Sequence, residues 1–377
     1  MANGDAAISD HQPAGAPTTA EVHSPDFKLP ARDGRFTVIQ ALRGLAALWV
    51  VLFHISAGGH ITHLEAQLPL AADRLFTAGH LGVAIFFALS GFVIAHSVRG
   101  VSITPGYVGR FMLRRSIRLD PPYWASILFV VAMAALSARI KGVSIELPTL
   151  PQTVAHLFYL QTLLGFRQIN WVYWTLTYEV QFYLVLVVLI MIGQRMRIGS
   201  PLMALVPFLA TVGLWLGLVS IPTGLFINLW HSFVAGALAY WAKTDRLALY
   251  LLALLCGVSL LLSADAFTVL SLLTAVGLHL SYRWGYLFRG LDWRWLQFLG
   301  TVSYSLYLTH NPVVGAVGFI SARWFGSEVA TLILSIAASI GFAALFWFLL
   351  ERPSLALAHH IRLKQHGHKV VAAAALT

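Results

Sequence analysis

Long apolar runs alternate along the chain with short polar ones, and the apolar runs share a length of about twenty residues, enough for a helix to cross a bilayer. They fall at 38–57, 79–97, 120–138, 171–192, 201–220, 224–242, 247–264, 266–282, 296–319 and 328–350. The pattern predicts an all-α polytopic membrane protein with about ten transmembrane helices, in one domain spanning residues 35–355. The 224–282 region admits other divisions. Residues 1–34 are polar, carry Pro13, Pro17, Pro25 and Pro30, and contain no apolar stretch. They read as a disordered N-terminal tail. No cleavable signal precedes the first apolar run, which is expected to act as an uncleaved anchor. Residues 356–377, with HHIRLKQHGHK from His359 to Lys369, read as a basic tail whose histidines are solvated rather than metal-bound.

Composition narrows the class. The 377 residues are 58% hydrophobic and 11% charged, with a mean hydropathy of +0.75, a balance that a soluble globular protein does not need. The net charge of +10 would suit nucleic acid, but the positive residues sit in short loops between apolar runs, so nucleic acid is not an expected partner. Ten crossings put both termini on one side. With the N-terminus inside, 20 of the 25 Lys and Arg are cytoplasmic, and Arg74, Arg139, Lys141, Arg167 and Arg323 remain outside. Positive charge accumulates on cytoplasmic loops, so both termini are expected there. Trp and Tyr near the run ends, such as Tyr123, Trp124, Trp171, Tyr173, Trp293 and Trp295, are expected mostly as interface anchors. The single cysteine, Cys256, excludes an intrachain disulfide and reads as a small buried hydrophobe. There is no internal repeat, no Gly-rich phosphate loop and no Cys/His cluster at metal-ligand spacing.

Ionisable groups at membrane depth are costly and mark functional sites. Arg43 and His54 lie eleven residues apart in one apolar run; at about 100° per residue they share a helix face, about 16 Å apart along the axis. Arg43 is a substrate-binding candidate, although an Arg near a cytoplasmic helix end is often just an anchor, and His54 alone would read as a core histidine. Glu179 is the only carboxylate well inside a predicted span, about 12 Å below the outer surface. His54 reaches a comparable depth from the opposite direction, which predicts a Glu179–His54 pair. In it the carboxylate would orient the ring and stabilise the imidazolium formed when His54 takes a proton. The bland alternative is a Glu bonded to Thr175 or Thr177. Arg110, Arg114, Arg115 and Arg118 stand at the cytoplasmic mouth of the third span, where Arg118 can share a face with Arg114 or Arg115. Such a cluster suits phosphate groups as well as it suits a lipid-facing charge block. The run from Gly79 to Ile94, with Gly82, Ser90 and Gly91, reads as close helix packing. In the ninth span Tyr304 and His310 are substrate-contacting candidates, His310 emerging near the outer surface. The connection 139–170, with His156, Tyr159, Gln161 and Asn170, is long enough to cap an outward-facing site, and Glu351 is placed to pair with an Arg.

Taken in order, these segments resemble acyltransferase family 3, a family of membrane O-acyltransferases. The family's R-x10-H motif matches Arg43 and His54, and its G-V-x-x-F-F-x-x-S-G-F run matches Gly82 to Phe92. Its R-x-x-R-I-x-P-x-Y-W pattern is similar to Arg115 to Trp124, with Leu119 for the usual Ile. Its W-S-L-S-x-E-x-Q-F-Y run is similar to Trp174 to Tyr183. Ser303 to Pro312 fits S-Y-S-L-Y-L-x-H-x-P, and Glu351 to Pro353 fits the closing E-x-P. Val180 departs from the second acidic residue that many members carry, which leaves Glu179 alone.

The resemblance implies no bound cofactor, an acyl-CoA donor (acetyl-CoA first) and a hydroxyl acceptor, commonly a sugar of an exopolysaccharide, lipopolysaccharide or glycoside. It further implies a bacterial inner-membrane location, with polysaccharide-biosynthesis machinery as an expected partner. Arg115 and Arg118 would hold the donor's phosphates, and His54 would act as base or as acyl carrier. The rival readings are a transporter or flippase for a glycolipid or polysaccharide with a His54–Glu179 proton relay, and a structural subunit of an export complex.

Overall fold

The computed structural model describes residues 36–361 and 363, and within them helix occupies most of every predicted apolar run. In chain order the helices are α1 (Thr37–Ala57), the short α2 (Thr62–Gln67) and α3 (Leu70–Thr77), α4 (Gly82–Ser97), α5 (Pro105–Lys141), the short α6 (Leu150–Leu157), α7 (Trp174–Met196), α8 (Ser200–Trp215), α9 (Trp230–Trp241), α10 (Arg246–Leu262), α11 (Ala266–Arg283), α12 (Arg294–Trp324), α13 (Glu328–Phe346) and α14 (Arg352–His360). One turn of π-helix, Trp347–Glu351, joins α13 to α14. No strand occurs among the described residues. Five stretches are long and apolar enough to cross a membrane: 37–57, 70–97, 105–141, 171–196 and 328–360. α8 and α10 are apolar but shorter, and α9 has only 12 residues.

Close approach of backbones organises the bundle. α1 packs chiefly on α12, α12 also on α13, and α4 on α9. A Cβ on Gly300 of α12 would lie 2.1 Å from the Gln40 carbonyl oxygen of α1. A Cβ on Gly91 of α4 would meet the Phe233 carbonyl oxygen at 1.8 Å, and one on Gly236 of α9 would meet that of Ala88 at 1.8 Å. Apolar attraction between helices is weak in lipid, so small residues that admit such contacts set which helices pair. Phe233 stacks on both Phe87 (4.1 Å) and Phe182 (4.3 Å), tying α9 to α4 and α7. α4 packs on both α1 and α7, whereas α1 and α7 share no extended contact.

Several boundaries differ from the sequence expectation. α5 begins at Pro105, well before residue 120, because Thr104 caps it and the helix continues through Pro121 and Pro122. Proline inside a helix removes a backbone donor, a loss that neighbouring groups offset within a bundle. α8 stops at Trp215, with Gly217 in the left-handed region (φ 70°). Trp124, Trp171, Trp293 and Trp295 are exposed as anchors should be, but Tyr123 and Tyr173 are fully buried. Tyr123 stacks on Tyr159, and the Tyr173 hydroxyl lies 2.8 Å from Ser126 Oγ. Cys256 is half-buried against the core. The polar stretch 1–34 lies outside the described residues, as does most of 356–377, although helix α14 carries through His360.

Candidate active site

Two adjoining cavities hold the sequence-predicted chemistry. The first, about 140 Å³, is lined by Arg43 of α1, Ser90 of α4, Arg115 and Arg118 of α5, Glu179 of α7 and Tyr304 of α12. Arg115 and Arg118 lie one turn apart on the inward face of α5 just before its prolines. The Arg115 guanidinium sits 3.5 Å from the centre of the Tyr183 ring. The Nε atoms of Arg115 and Arg118 are buried without a hydrogen-bond partner. Among the described residues Arg43 has a single side-chain hydrogen bond, from Nη1 to Gln40 Oε1 of its own helix at 3.4 Å. Three guanidiniums lining one cavity, with few hydrogen bonds among the described residues, form a preorganised anion site. The rest of the basic cluster turns away: Arg114 Nη2 lies 3.3 Å from His359 Nδ1, and Arg110 is exposed.

Two carboxylates offset part of this positive charge. Glu179 Oε1 accepts from Ser90 Oγ at 2.9 Å and lies within electrostatic reach of Arg43, Arg115 and Arg118. Glu351, buried at the π-helical turn, accepts from the Ser305 amide (3.2 Å) and hydroxyl (2.6 Å), with Arg43 and Arg118 in its field. Its expected Arg partner is thus electrostatic rather than hydrogen-bonded. The Tyr304 hydroxyl donates to the Leu119 carbonyl at 3.0 Å, at the proline turn. Asp120 accepts from Ser116 and from the Tyr159 hydroxyl, the latter at 2.8 Å.

The second cavity, about 660 Å³, contains His54, with Phe53, His80, Trp171, Tyr307 and Asn311 in its wall. Val83 and Tyr307 line both cavities, so the cavity at the Arg43 end of α1 and the one at its His54 end share a wall. The Tyr307 hydroxyl donates to the Val172 carbonyl at 2.9 Å and lies 2.8 Å from Thr175 Oγ1, fixing the ring between the cavities. The His54 ring stands 5.0 Å from that of His310. His310 Nδ1 is 2.9 Å from the Leu306 carbonyl, which can only accept, so Nδ1 carries the proton and the buried Nε2 is an unpartnered acceptor.

Two sequence expectations need correction. Glu179 does not pair with His54. α4 intervenes between α7 and α1, and its Ser90 takes the carboxylate, while the His54 ring lies against that of His310. His310 does not emerge at the surface; it is fully buried, because α12 runs on to Trp324. Sequence reasoning also treated Ser90 as packing and gave Tyr307 no role. Both lie within the matching motifs, which was the available signal.

The sequence pattern of the acyltransferase domain of family 3 matches residues 36–351, which contain every residue of both cavities. The chain belongs to acyltransferase family 3. It is an O-acyltransferase, and an integral membrane protein by its family and its apolar helices. Nodulation protein 10 of Rhizobium leguminosarum bv. viciae is 27% identical over 332 residues, covering 76% of this chain and 84% of that protein. Protein 2 in the picA locus of Rhizobium radiobacter is 34% identical over 108 residues, covering 28% of this chain and 45% of that protein. No solved structure matches.

Proposed function

We propose that this acyltransferase moves an acetyl group from acetyl-CoA, entering from the cytoplasm, to a sugar hydroxyl of a surface polysaccharide or glycoconjugate. The observation that carries this reading is the pair of adjoining cavities, one lined by three guanidiniums and the other by His54. Arg115 and Arg118, with Arg43 beside them, hold the donor's phosphates through charge-assisted hydrogen bonds. The thioester then points past Tyr307 toward His54. His54 removes the proton of the acceptor hydroxyl, the oxygen attacks the thioester carbonyl, and the carbon–sulfur bond breaks to release CoA thiolate, which takes up the proton. A transfer through acyl-His54 uses the same arrangement, with the imidazole as first nucleophile.

In the same reading the chain crosses the bacterial inner membrane ten times with both termini cytoplasmic, the donor cavity facing in and the His54 cavity facing out. The proton-relay transporter is less well supported, because the His54–Glu179 contact on which it relied is not formed. The test is acceptor-dependent release of CoA thiol and transfer of radiolabelled acetyl by purified protein in lipid vesicles. Transfer to a glycan is expected, whereas glycan movement across the vesicle wall without acetylation would favour transport.

A further inference from the structure

A third cavity, about 530 Å³, lies between α5 and α12 and takes no part in the chemistry above. Most of its lining is apolar, with Met133, Ala134 and Ile140 on α5 and Ala316 and Phe319 on α12, and Ser137, Lys141 and His60 add polar groups. Small side chains create the recess. A Cβ built on Gly315 meets no atom within 4 Å, so the space beside it is open. Ile140 and Phe319 are exposed, so the cavity gives onto the surface that an apolar span presents to lipid.

One end differs. Asn170, only 3% exposed, and Asn311 stand there, with Asn311 Nδ2 donating to Asn170 Oδ1 at 2.9 Å. The Asn170 Nδ2 makes no close hydrogen bond among the described residues and has only the Tyr173 hydroxyl within loose reach, so it is a weakly held donor at this end of the cavity. Trp171 and Asn311 also line the His54 cavity, so this polar end is where the two spaces meet. A bilayer-facing crevice needs no amide donor and no opening toward a catalytic histidine. A ligand with an apolar tail and a polar, hydrogen-bonding head uses both.

We propose that this cavity seats the lipid chain of a membrane-anchored glycan acceptor, whose sugar passes Asn170 and Asn311 to reach His54. The inference rests on the acyl-transfer reading and narrows its acceptor from glycans at large to lipid-linked ones. The chain lies along α5 and α12, a head-group hydroxyl takes the Asn170 donor, and the hydroxyl to be acylated is delivered sideways from the bilayer.

The test uses the full chain in phosphatidylcholine vesicles and a diazirine-tipped dodecyl glucoside, with diazirine-tipped phosphatidylcholine as comparison, the labelled peptides being mapped by mass spectrometry. Gly315→Leu fills the recess. Gly341→Leu, on α13, where an added Cβ also meets nothing, is the control for inserting leucine on an open helix face. The glucoside is expected to label the α5 and α12 walls about tenfold more than the phospholipid at equal mole fraction, and Gly315→Leu alone is expected to remove most of that labelling. In parallel, Gly315→Leu should raise KM for acetyl transfer to dodecyl glucoside about tenfold and leave methyl glucoside kinetics unchanged. Equal labelling by the two lipids, or labelling indifferent to Gly315→Leu, overturns the proposal even if acetyl transfer proceeds. Specific labelling without acetyl transfer to either glucoside upholds the lipid-chain site and counts against the sugar-acylation reading instead.

Discussion

Arg118→Ala separates a donor-binding role from a merely structural one. Arg43, Arg115 and Arg118 face the first cavity, with Glu179 and Glu351 in their field, so with both carboxylates ionised three positive and two negative groups leave a charge of +1. Removing Arg118 brings that sum to zero. Like charges on Arg43 and Arg115 press on Arg118, and its Nε has no partner, so few favourable contacts of the unliganded protein are lost. Its melting temperature should therefore move by only a few degrees. A hydrogen bond to a charged group contributes about 1.5–3 kcal/mol, so CoA affinity should fall by about 10- to 150-fold. Arg118→Lys keeps the charge but loses the planar fork, and should fall between wild type and Arg118→Ala. Isothermal titration of CoA into each protein in lipid nanodiscs measures this. Unchanged affinity refutes the donor assignment, and a large drop in melting temperature in both variants makes Arg118 structural.

Glu179→Gln leaves the arginine cavity more positive, so it should tighten CoA binding; weaker CoA binding by titration contradicts the place given to Glu179. Tyr307→Phe removes the hydroxyl bonded to Val172 and Thr175, at a cost of about 1 kcal/mol, and should slow transfer about fivefold at saturating donor, read from initial rates. Gly236→Ala forces a methyl group against the Ala88 carbonyl and should destabilise the fold by about 2–3 kcal/mol, seen as a lower thermal midpoint in detergent.

The sequence carried the helices well because each apolar run reports its own solvent. It carried helix ends less well. Pro121 and Pro122 look like a start signal, yet α5 runs through them, since tertiary neighbours and the cap at Thr104 decide where a long helix begins. Arg115 and Arg118 were legible as one cluster, and the R-x10-H spacing placed Arg43 and His54 on one helix face. What spacing along one helix does not contain is which helix stands next to it. Depth matched Glu179 to His54, but the glycine contacts of α4 with α9 hold α4 where its Ser90 reaches Glu179 first. The burial of His310 likewise depends on the length of α12 beyond it, and Glu351 joins the arginine cavity only through a π-helical turn that no periodicity announces.

The most direct measurement is acetyl transfer from radiolabelled acetyl-CoA to a glycan acceptor by wild type and His54→Ala, each purified in lipid and shown to be folded. Wild type should transfer label to the acceptor, and His54→Ala should transfer it at least about 100-fold more slowly, with CoA affinity retained because His54 lies outside the arginine cavity. Equal transfer by the two folded proteins would contradict the account, since the second cavity would then hold no catalytic group at His54.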